Sequence, residues 1–112
     1  MDNCIFCKII NREIPSDIVY EDDKIIAFKD VNPVAPVHVL IIPKEHIASA
    51  MDITEEKAPV VAHIFNTAKK IAEIMGIEKS GFRIVNNCGE NAGQTVFHMH
   101  FHLIGGKTLL WP

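Results

Sequence analysis

The chain has 112 residues, the length of a single domain, and its 48% of apolar residues can form one hydrophobic core without disulfides. A formal charge of −3, with acidic and basic residues interspersed, argues against a nucleic-acid or anionic-membrane surface, so any phosphate must be bound by local groups. The apolar runs are strand-length and the N-terminus lacks signal-peptide features, which predicts one cytoplasmic domain over residues 1–112 with no membrane segment.

The first half of the chain is predicted to form three strands. Residues 18–21 and 25–29 are rich in β-branched and apolar residues and are separated by two aspartates, a pattern typical of a hairpin. Two prolines keep the next loop extended. Residues 37–43, VHVLIIP, are apolar almost throughout, which indicates a strand covered on both faces.

The second half is predicted to contain one long helix and two more strands. Apolar residues recur at helical spacing up to Gly76, and a proline near the start means that the helix begins at Ala58 or is kinked there. His63, in the middle of this helix, has no partner in the pattern and is predicted to be a structural or surface residue. Residues 81–87 and 98–104 are the predicted fourth and fifth strands. Strands joined by short turns around one helix predict a mostly antiparallel sheet in an α+β fold.

Three histidines stand at every second position in the predicted fifth strand: His98, His100 and His102. In a strand they would share one face, with neighbours about 6.7 Å apart and the outer pair about 13 Å apart, so one metal ion could not bind all three. A glycine-containing polar loop, NCGENAGQT, precedes them. This arrangement is difficult to explain as core or as a solvated face, and it indicates a functional site.

The segment HMHFHLI resembles the His-x-His-x-His-apolar-apolar signature of the histidine triad (HIT) family of nucleotide hydrolases and transferases. GQTVFHMHFHLIGG followed by WP, and the N-terminal half from IPSDIVYEDD to IPKEHI, resemble its Hint-like purine nucleoside phosphoramidase branch. The resemblance implies a five-stranded sheet with one long helix and a short N-terminal helix. It also implies that a nucleoside 5′-phosphoramidate, or a related purine nucleoside monophosphate derivative, loses its leaving group to a histidine, after which water releases the nucleotide.

By this resemblance His100 is the nucleophile, and an imidazole is suitable because it is largely neutral near pH 7. His102 should bind the phosphate. His38 matches a fourth histidine beside the triad; alternatively it is a buried structural imidazole, which could still orient His100. Thr95 stands where this branch usually has serine, and its hydroxyl could pass a proton to the leaving group.

The loop before the triad is predicted to bind phosphate. Gly93 allows close backbone approach, and Gln94, Thr95 and the N–H groups near Val96 can donate hydrogen bonds to phosphate oxygens. Asn87 matches a polar residue on the phosphate or leaving-group side.

The nucleoside is predicted to bind through one carboxylate and several apolar side chains. Asp30 matches the residue that accepts hydrogen bonds from the ribose hydroxyls, although an aspartate before Asn-Pro could simply form the loop. Six apolar positions match those that enclose the base, and any of them could equally be core: Phe6, Ile9, Ile14, Phe28, Val31 and Leu40.

Cys4 and Cys7 form a Cys-x-x-Cys pair, with Cys88 far away. The pair is half of a zinc site, a redox motif lacking its usual βαβ context, or two small buried residues. The resemblance to zinc-binding bacterial triad proteins and galactose-1-phosphate uridylyltransferases implies that His46 and His98 complete a structural zinc site. His98 would then bind metal while its neighbours act on the phosphate.

Trp111 is the only tryptophan and stands next to the C-terminal residue, a position more typical of an interface than of a free end. The resemblance implies a two-fold homodimer, formed through the long helix and a strand, with Trp111 near the partner's active site. The alternative is that Trp111 covers the core of its own subunit.

Two other functions remain open. One is a zinc-stabilised nucleotide-binding or scaffolding protein whose turnover is incidental. The other is a metalloenzyme that uses the histidine strand as its metal site; the strand geometry argues against it, and no Asp or Glu is expected nearby to complete the ligand set.

Overall fold

The structure, a computed structural model, describes residues 3–111 and confirms the predicted α+β fold. Within this range two α-helices, five strands and two short 3₁₀ turns follow one another along the chain. In chain order they are α1 (Ile5–Ile10), β1 (Ile18–Glu21), β2 (Ile25–Lys29), β3 (Val37–Pro43), the turn Ala50–Asp52, α2 (Ala58–Ile74), β4 (Phe82–Asn86), the turn Glu90–Ala92 and β5 (Phe101–Gly105).

The five strands form one antiparallel sheet in the order β1-β2-β3-β5-β4. β3 lies at the centre and is buried along its whole length, as its apolar sequence predicts. It pairs with β5 so that Leu40 lies opposite His102 and Val39 lies opposite Leu103. β4 lies at one edge of the sheet, where one side of its backbone has no strand partner among residues 3–111.

One face of the sheet is covered by α2. The helix begins at Ala58, as predicted, and its proline occupies the first turn, where the missing N–H breaks no helical hydrogen bond. Ile64, Ala68 and Ile71 are fully or almost fully buried against the sheet and form the larger core together with residues such as Leu103. Neither helix of the described chain has the length and apolar character that a bilayer crossing requires.

The opposite face of the sheet is partly covered by the six-residue helix α1. Phe6 and Ile9 of this helix pack on Phe28 and Leu40 in a second, smaller core. Because α1 covers only part of this face, the ends of β3 and β5 remain accessible to a ligand.

The fifth strand is shorter than predicted: it begins at Phe101 rather than at His98. The ladders to β3 and β4 both stop at Phe101, so residues 98–100 pair with no strand in the described part of the chain. The amide of Met99 donates instead to the carbonyl of Ile47, at 2.6 Å. His98 and His100 therefore lie on an extended segment outside the sheet, and only His102 lies in the strand.

His63 has a partner that the sequence pattern did not indicate. Its Nε2 lies 2.7 Å from Asp22 Oδ2, which also accepts from the Tyr20 hydroxyl, while Oδ1 accepts from the amides of Lys24 and Ile25. Burial opposes ionisation of Asp22, but these hydrogen bonds prevail and lower its pKa to about 2. The carboxylate thus joins the β1–β2 turn to α2.

Replacing Asp22 with Asn is expected to lower the free energy of unfolding by about 2 kcal/mol at pH 7, because a folded-state pKa below the unfolded value stabilises the ionised protein. That contribution is fully present above about pH 4 and disappears as the pH falls towards about 2. Urea unfolding of both proteins between pH 7 and 3 measures the difference. Asp23→Asn, at the exposed neighbouring position, is the control; an equal loss in both variants would contradict the role of Asp22.

Candidate active site and metal centre

A cavity of about 880 Å³ opens on the sheet face that α1 partly covers. It brings together twelve of the predicted site residues: Phe6, Ile9, Ile14, Phe28, Asp30, Val31, His38, Leu40, Thr95, Val96, His100 and His102. The sequence analysis missed eight lining residues: Ile5, Pro15, Ser16, Asp17, Lys29, Asn32, Pro33 and Val34. Ile5 stands next to Phe6, and the others lie in the loop before β1 that contains Ile14 or in the segment 29–34 that contains Asp30 and Val31. Proximity to predicted residues was the only indication of them.

The cavity has an apolar part and a polar part. α1, β2 and β3 supply the apolar wall, which includes Phe6, Phe28 and Leu40. Side chains of the loop after β2, of β3 and of the triad segment supply the polar part, which includes Asp30 and His100. A ligand with a flat apolar ring and an anionic group would match this division.

His100 is held with one ring nitrogen committed to the backbone. It is 7% exposed, and its Nδ1 lies 2.8 Å from the carbonyl oxygen of His98. A carbonyl only accepts, so Nδ1 carries the proton of the neutral ring and Nε2 keeps its lone pair. The ring of Phe6 stands edge-to-face against it, with centroids 5.2 Å apart. Neutral His100 is therefore prepared to act as a nucleophile through Nε2.

His102 and His38 form a hydrogen-bonded pair beside this nucleophile. The amide of Val34 donates to His38 Nδ1 at 3.1 Å, so the proton of neutral His38 is on Nε2. That Nε2 lies 2.9 Å from His102 Nδ1 and 3.3 Å from Asp30 Oδ2. His102 consequently accepts through Nδ1 and carries its own proton on Nε2, where it can donate to a ligand.

Both histidines of this pair are neutral near pH 7. Burial lowers the pKa of His102 to about 4, and charge on His100 and His38 acts in the same direction. Burial also lowers the pKa of His38, against the opposing effect of Asp30. His102 can therefore donate a hydrogen bond from Nε2 to an anionic ligand while both rings stay neutral.

Three residues predicted to contact phosphate lie outside the cavity lining. Gln94 is 4% exposed: its Nε2 donates to the carbonyls of Ala48 and Val96, and its Oε1 accepts from the amide of Gly89. Its side chain thus braces the loop and is unavailable to a phosphate. Asn87 donates to the carbonyl of Ala92, at 2.8 Å.

Gly93 shapes the loop through its backbone. It caps the turn Glu90–Ala92 in the left-handed region, at φ +86°, which glycine adopts without strain. The polar loop therefore contributes Thr95 and Val96 to the cavity, and its preceding residues hold these two in place.

The predicted metal ligands converge beside the cavity. The sulfur atoms of Cys4 and Cys7 and one ring nitrogen each of His46 and His98 all lie within 4.8 Å of one another. His98 Nδ1 is 3.3 Å from Cys4 Sγ, 3.5 Å from Cys7 Sγ and 3.2 Å from His46 Nδ1. A tetrahedral zinc ion would separate two nitrogens by about 3.3 Å and a nitrogen from a sulfur by about 3.6 Å. The spacing therefore fits a zinc ion.

The hydrogen bonds around this cluster also fit a cation. His98 Nε2 lies 2.8 Å from the carbonyl of Pro43, so Nε2 is the donor and the Nδ1 lone pair is directed at the cysteines. Burial lowers the pKa of His98 to about 4, which keeps the ring neutral. Burial and the Cys4 thiol raise the pKa of Cys7 to about 11, so a bound cation would have to displace that proton.

A second group could also offer metal ligands, contrary to the expectation that no acidic residue would lie near the triad. Asp30, His38 and His102 bring three ligand atoms within 4.8 Å. However, a metal on His38 Nε2 would move the ring proton to Nδ1, where it would face the donating amide of Val34. The hydrogen bonding therefore favours a proton-bearing pair here and a metal only at the cysteine cluster.

Comparison with known proteins finds similarity over almost the whole chain. Residues 3–109 match the family described as "Scavenger mRNA decapping enzyme C-term binding". The chain is 46% identical over 108 residues to the purine nucleoside phosphoramidase of Escherichia coli K12, covering 96% of this chain and 91% of that protein. It is 51% identical over 111 residues to an uncharacterized HIT-like protein of Synechococcus elongatus, covering 99% and 96%. A solved HIT family hydrolase from Clostridium thermocellum superposes with a TM-score of 0.97, at 55% identity, covering 100% and 97%.

Elemental analysis of the purified protein is expected to find about one zinc per chain. Cys7→Ser should lose the metal and lower the melting temperature by roughly 10 °C, because zinc binding contributes to folding. Cys88→Ser is the matched control, since this free cysteine lies outside the cluster. The site would be disproved by protein that contains no zinc and takes up none on reconstitution.

Proposed function

The chain belongs to the histidine triad family, and we propose that this hydrolase cleaves purine nucleoside 5′-phosphoramidates, or related purine nucleoside monophosphate derivatives, through a covalent nucleotidyl intermediate on His100. The observation that carries the proposal is the hydrogen bond from His100 Nδ1 to the carbonyl of His98, which leaves the Nε2 lone pair free beside the cavity. The phosphoramidase activity of the relative from Escherichia coli supports the choice of substrate class.

In the first step, the lone pair of His100 Nε2 forms a bond to phosphorus and the bond from phosphorus to the leaving nitrogen breaks. That nitrogen takes a proton from the hydroxyl of Thr95, which takes one back from solvent. His102 donates from Nε2 to a phosphoryl oxygen and so stabilises the charge that develops there. The sequence departs here from the serine usual in this branch, but the hydroxyl group is retained.

In the second step, a water molecule attacks phosphorus, the bond between phosphorus and His100 breaks, and the electron pair returns to Nε2. The water's second proton goes to solvent and the nucleoside monophosphate leaves. Because His100 returns to its initial neutral tautomer, the enzyme is ready for another substrate. The carbonyl of His98 favours the same tautomer throughout.

The nucleoside lies in the apolar part of the cavity. Phe6, Phe28 and Leu40 provide flat and aliphatic surface for a purine, and Asp30 accepts hydrogen bonds from the ribose hydroxyls. Asp30 Oδ1 already accepts from the amide of Asn32, which fixes the direction of the carboxylate. These contacts recognise the nucleotide and leave the amine portion unspecified.

The cysteine cluster binds a structural zinc ion through Cys4, Cys7, His46 and His98. A bound zinc supplies a fixed link between the N-terminal segment and the triad segment. Coordination needs reduced thiols, which supports a cytoplasmic location.

A homodimer completes the proposal. Its support is the exposed edge of β4, where Phe82 is partly exposed and Arg83 donates to the carbonyl of Leu110 at 2.9 Å. Trp111 is 91% exposed, so the alternative that it covers its own subunit's core is wrong. In the dimer Trp111 lies near the partner's leaving-group region.

The sharpest test of the chemistry is His100→Ala with adenosine 5′-phosphoramidate as substrate. AMP release should fall below about 1% of the wild-type rate while AMP binding changes little, since the nucleophile bonds to phosphorus only during the reaction. Chelation should slow release without abolishing it, because no step of the reaction uses the metal, and His63→Ala on α2 should retain activity. If His100→Ala keeps more than a few per cent of the activity, another residue is the nucleophile. Wild-type protein that binds AMP but releases none from the substrate would favour the nucleotide-binding or scaffolding alternative.

Light scattering at micromolar concentration is expected to give the mass of a dimer. Deleting residues 110–112, of which Pro112 lies outside the described residues, should change the preference among amine leaving groups more than the affinity for AMP. A monomeric mass would exclude the dimer. Identical amine preferences before and after the deletion would exclude the role of Trp111.

A further inference from the structure

We propose that Phe6 is a positioning residue through which the metal cluster fixes the orientation of the nucleophile's ring. This role is additional to any contact that Phe6 makes with the base, and it rests on the proposed function because it takes His100 as the nucleophile.

The first support is that Phe6 belongs to the metal-binding segment and also contacts the triad histidines. It lies in the chain between Cys4 and Cys7, inside the metal-binding loop and first turn of α1. Its ring stands edge-to-face against two triad rings, with centroids 5.9 Å from His98 and 5.2 Å from His100. With 6% of its surface exposed, it has little freedom to move unless α1 moves.

The second support is that the backbone of the triad segment is fixed from the same cluster. The ring of His98 is held between the cysteines and the carbonyl of Pro43, and its own carbonyl accepts from His100 Nδ1. The next amide, Met99, donates to Ile47, the neighbour of the ligand His46. The carbonyl of the ligand His98 therefore holds His100 at Nδ1. The ring of His100 is held by Phe6, which stands in the chain between the ligands Cys4 and Cys7.

This arrangement predicts a dependence of catalysis on the cluster. α1 has only six residues, too few for a helix to be stable without tertiary contacts, so it needs the cluster and the small core to stay in place. If α1 moves, the edge of Phe6 no longer restricts the His100 ring. Since a nucleophile must approach phosphorus with correct alignment, a less restricted ring lowers the rate of the chemical step.

The decisive comparison is Phe6→Leu against Phe28→Leu. Both residues line the cavity and both are buried, and their rings contact each other with centroids 5.5 Å apart. Two rings of residues 3–111 pair with His100, those of Phe6 and His102, so Phe6 is the phenylalanine that meets the nucleophile and Phe28 is not. Phe6→Leu should lower kcat, and the single-turnover rate constant of the chemical step, about tenfold, which is the effect that loss of one aromatic pair can have. Phe28→Leu should raise KM for the nucleotide substrate and change kcat less than about twofold.

Nitrogen-15 NMR of the histidine rings gives a readout that does not depend on turnover. In the wild type and in Phe28→Leu, His100 should show a single tautomer protonated at Nδ1. In Phe6→Leu and in zinc-free Cys7→Ser, it should show a mixture of tautomers. Thermal unfolding and zinc content of each variant establish that the Phe6→Leu protein is folded and metal-bound.

The link to the cluster is tested by combining Phe6→Leu with Cys7→Ser. If Phe6 acts through the cluster, the double variant should lose little more kcat than Cys7→Ser alone. Additive losses would mean that Phe6 acts independently of the metal site and would overturn the inference. So would an unchanged kcat and a single His100 tautomer in Phe6→Leu. A wild-type protein without phosphoramidase activity would instead disprove the proposed function, and the NMR comparison would still decide the role of Phe6.

Discussion

The antiparallel pairing of β3 with β5 is the constraint on which the rest of the molecule depends. Its register places Leu40 opposite His102 and Val39 opposite Leu103. Alternation then directs the first pair to the cavity and the second to the core beneath α2. One ladder of backbone hydrogen bonds therefore sets both the burial that stabilises the domain and the approach of His38 to His102. A slip of one residue would exchange core and cavity side chains.

The three triad histidines have similar chemistry but different partners, and the partners set their tasks. The carbonyl of Pro43 directs the free nitrogen of His98 to the cysteines, and the carbonyl of His98 directs that of His100 to the cavity. His102 has its proton placed indirectly, through His38 and the amide of Val34. The backbone thus selects one tautomer for each ring, and no histidine needs to be charged for the site to assemble.

The elements set by local pattern could be predicted from the sequence, whereas those set by tertiary contacts could not. The helical periodicity predicted the bounds of α2 closely, and the apolar run of residues 37–43 predicted those of the central strand. The start of β5 depends on where two neighbouring ladders end, and alternation alone does not reveal this. Gln94 is a phosphate donor by residue type, but the carbonyl of Ala48, distant in sequence, and the nearby carbonyl of Val96 occupy its amide. The approach of Asp30 to His38 likewise exists only in the folded chain.

His98 is the residue whose replacement would be hardest to compensate. One ring nitrogen faces the cysteines, the other is bound to Pro43, its carbonyl holds the next triad histidine, and its side chain is fully buried. A lineage that lost the cysteine pair would still need a residue there with the same backbone path and a similar buried volume. Metal binding is therefore lost more easily by replacing Cys4 and Cys7 with apolar residues that pack in their place than by replacing His98. In redesign, the metal requirement should be removed from the N-terminal side.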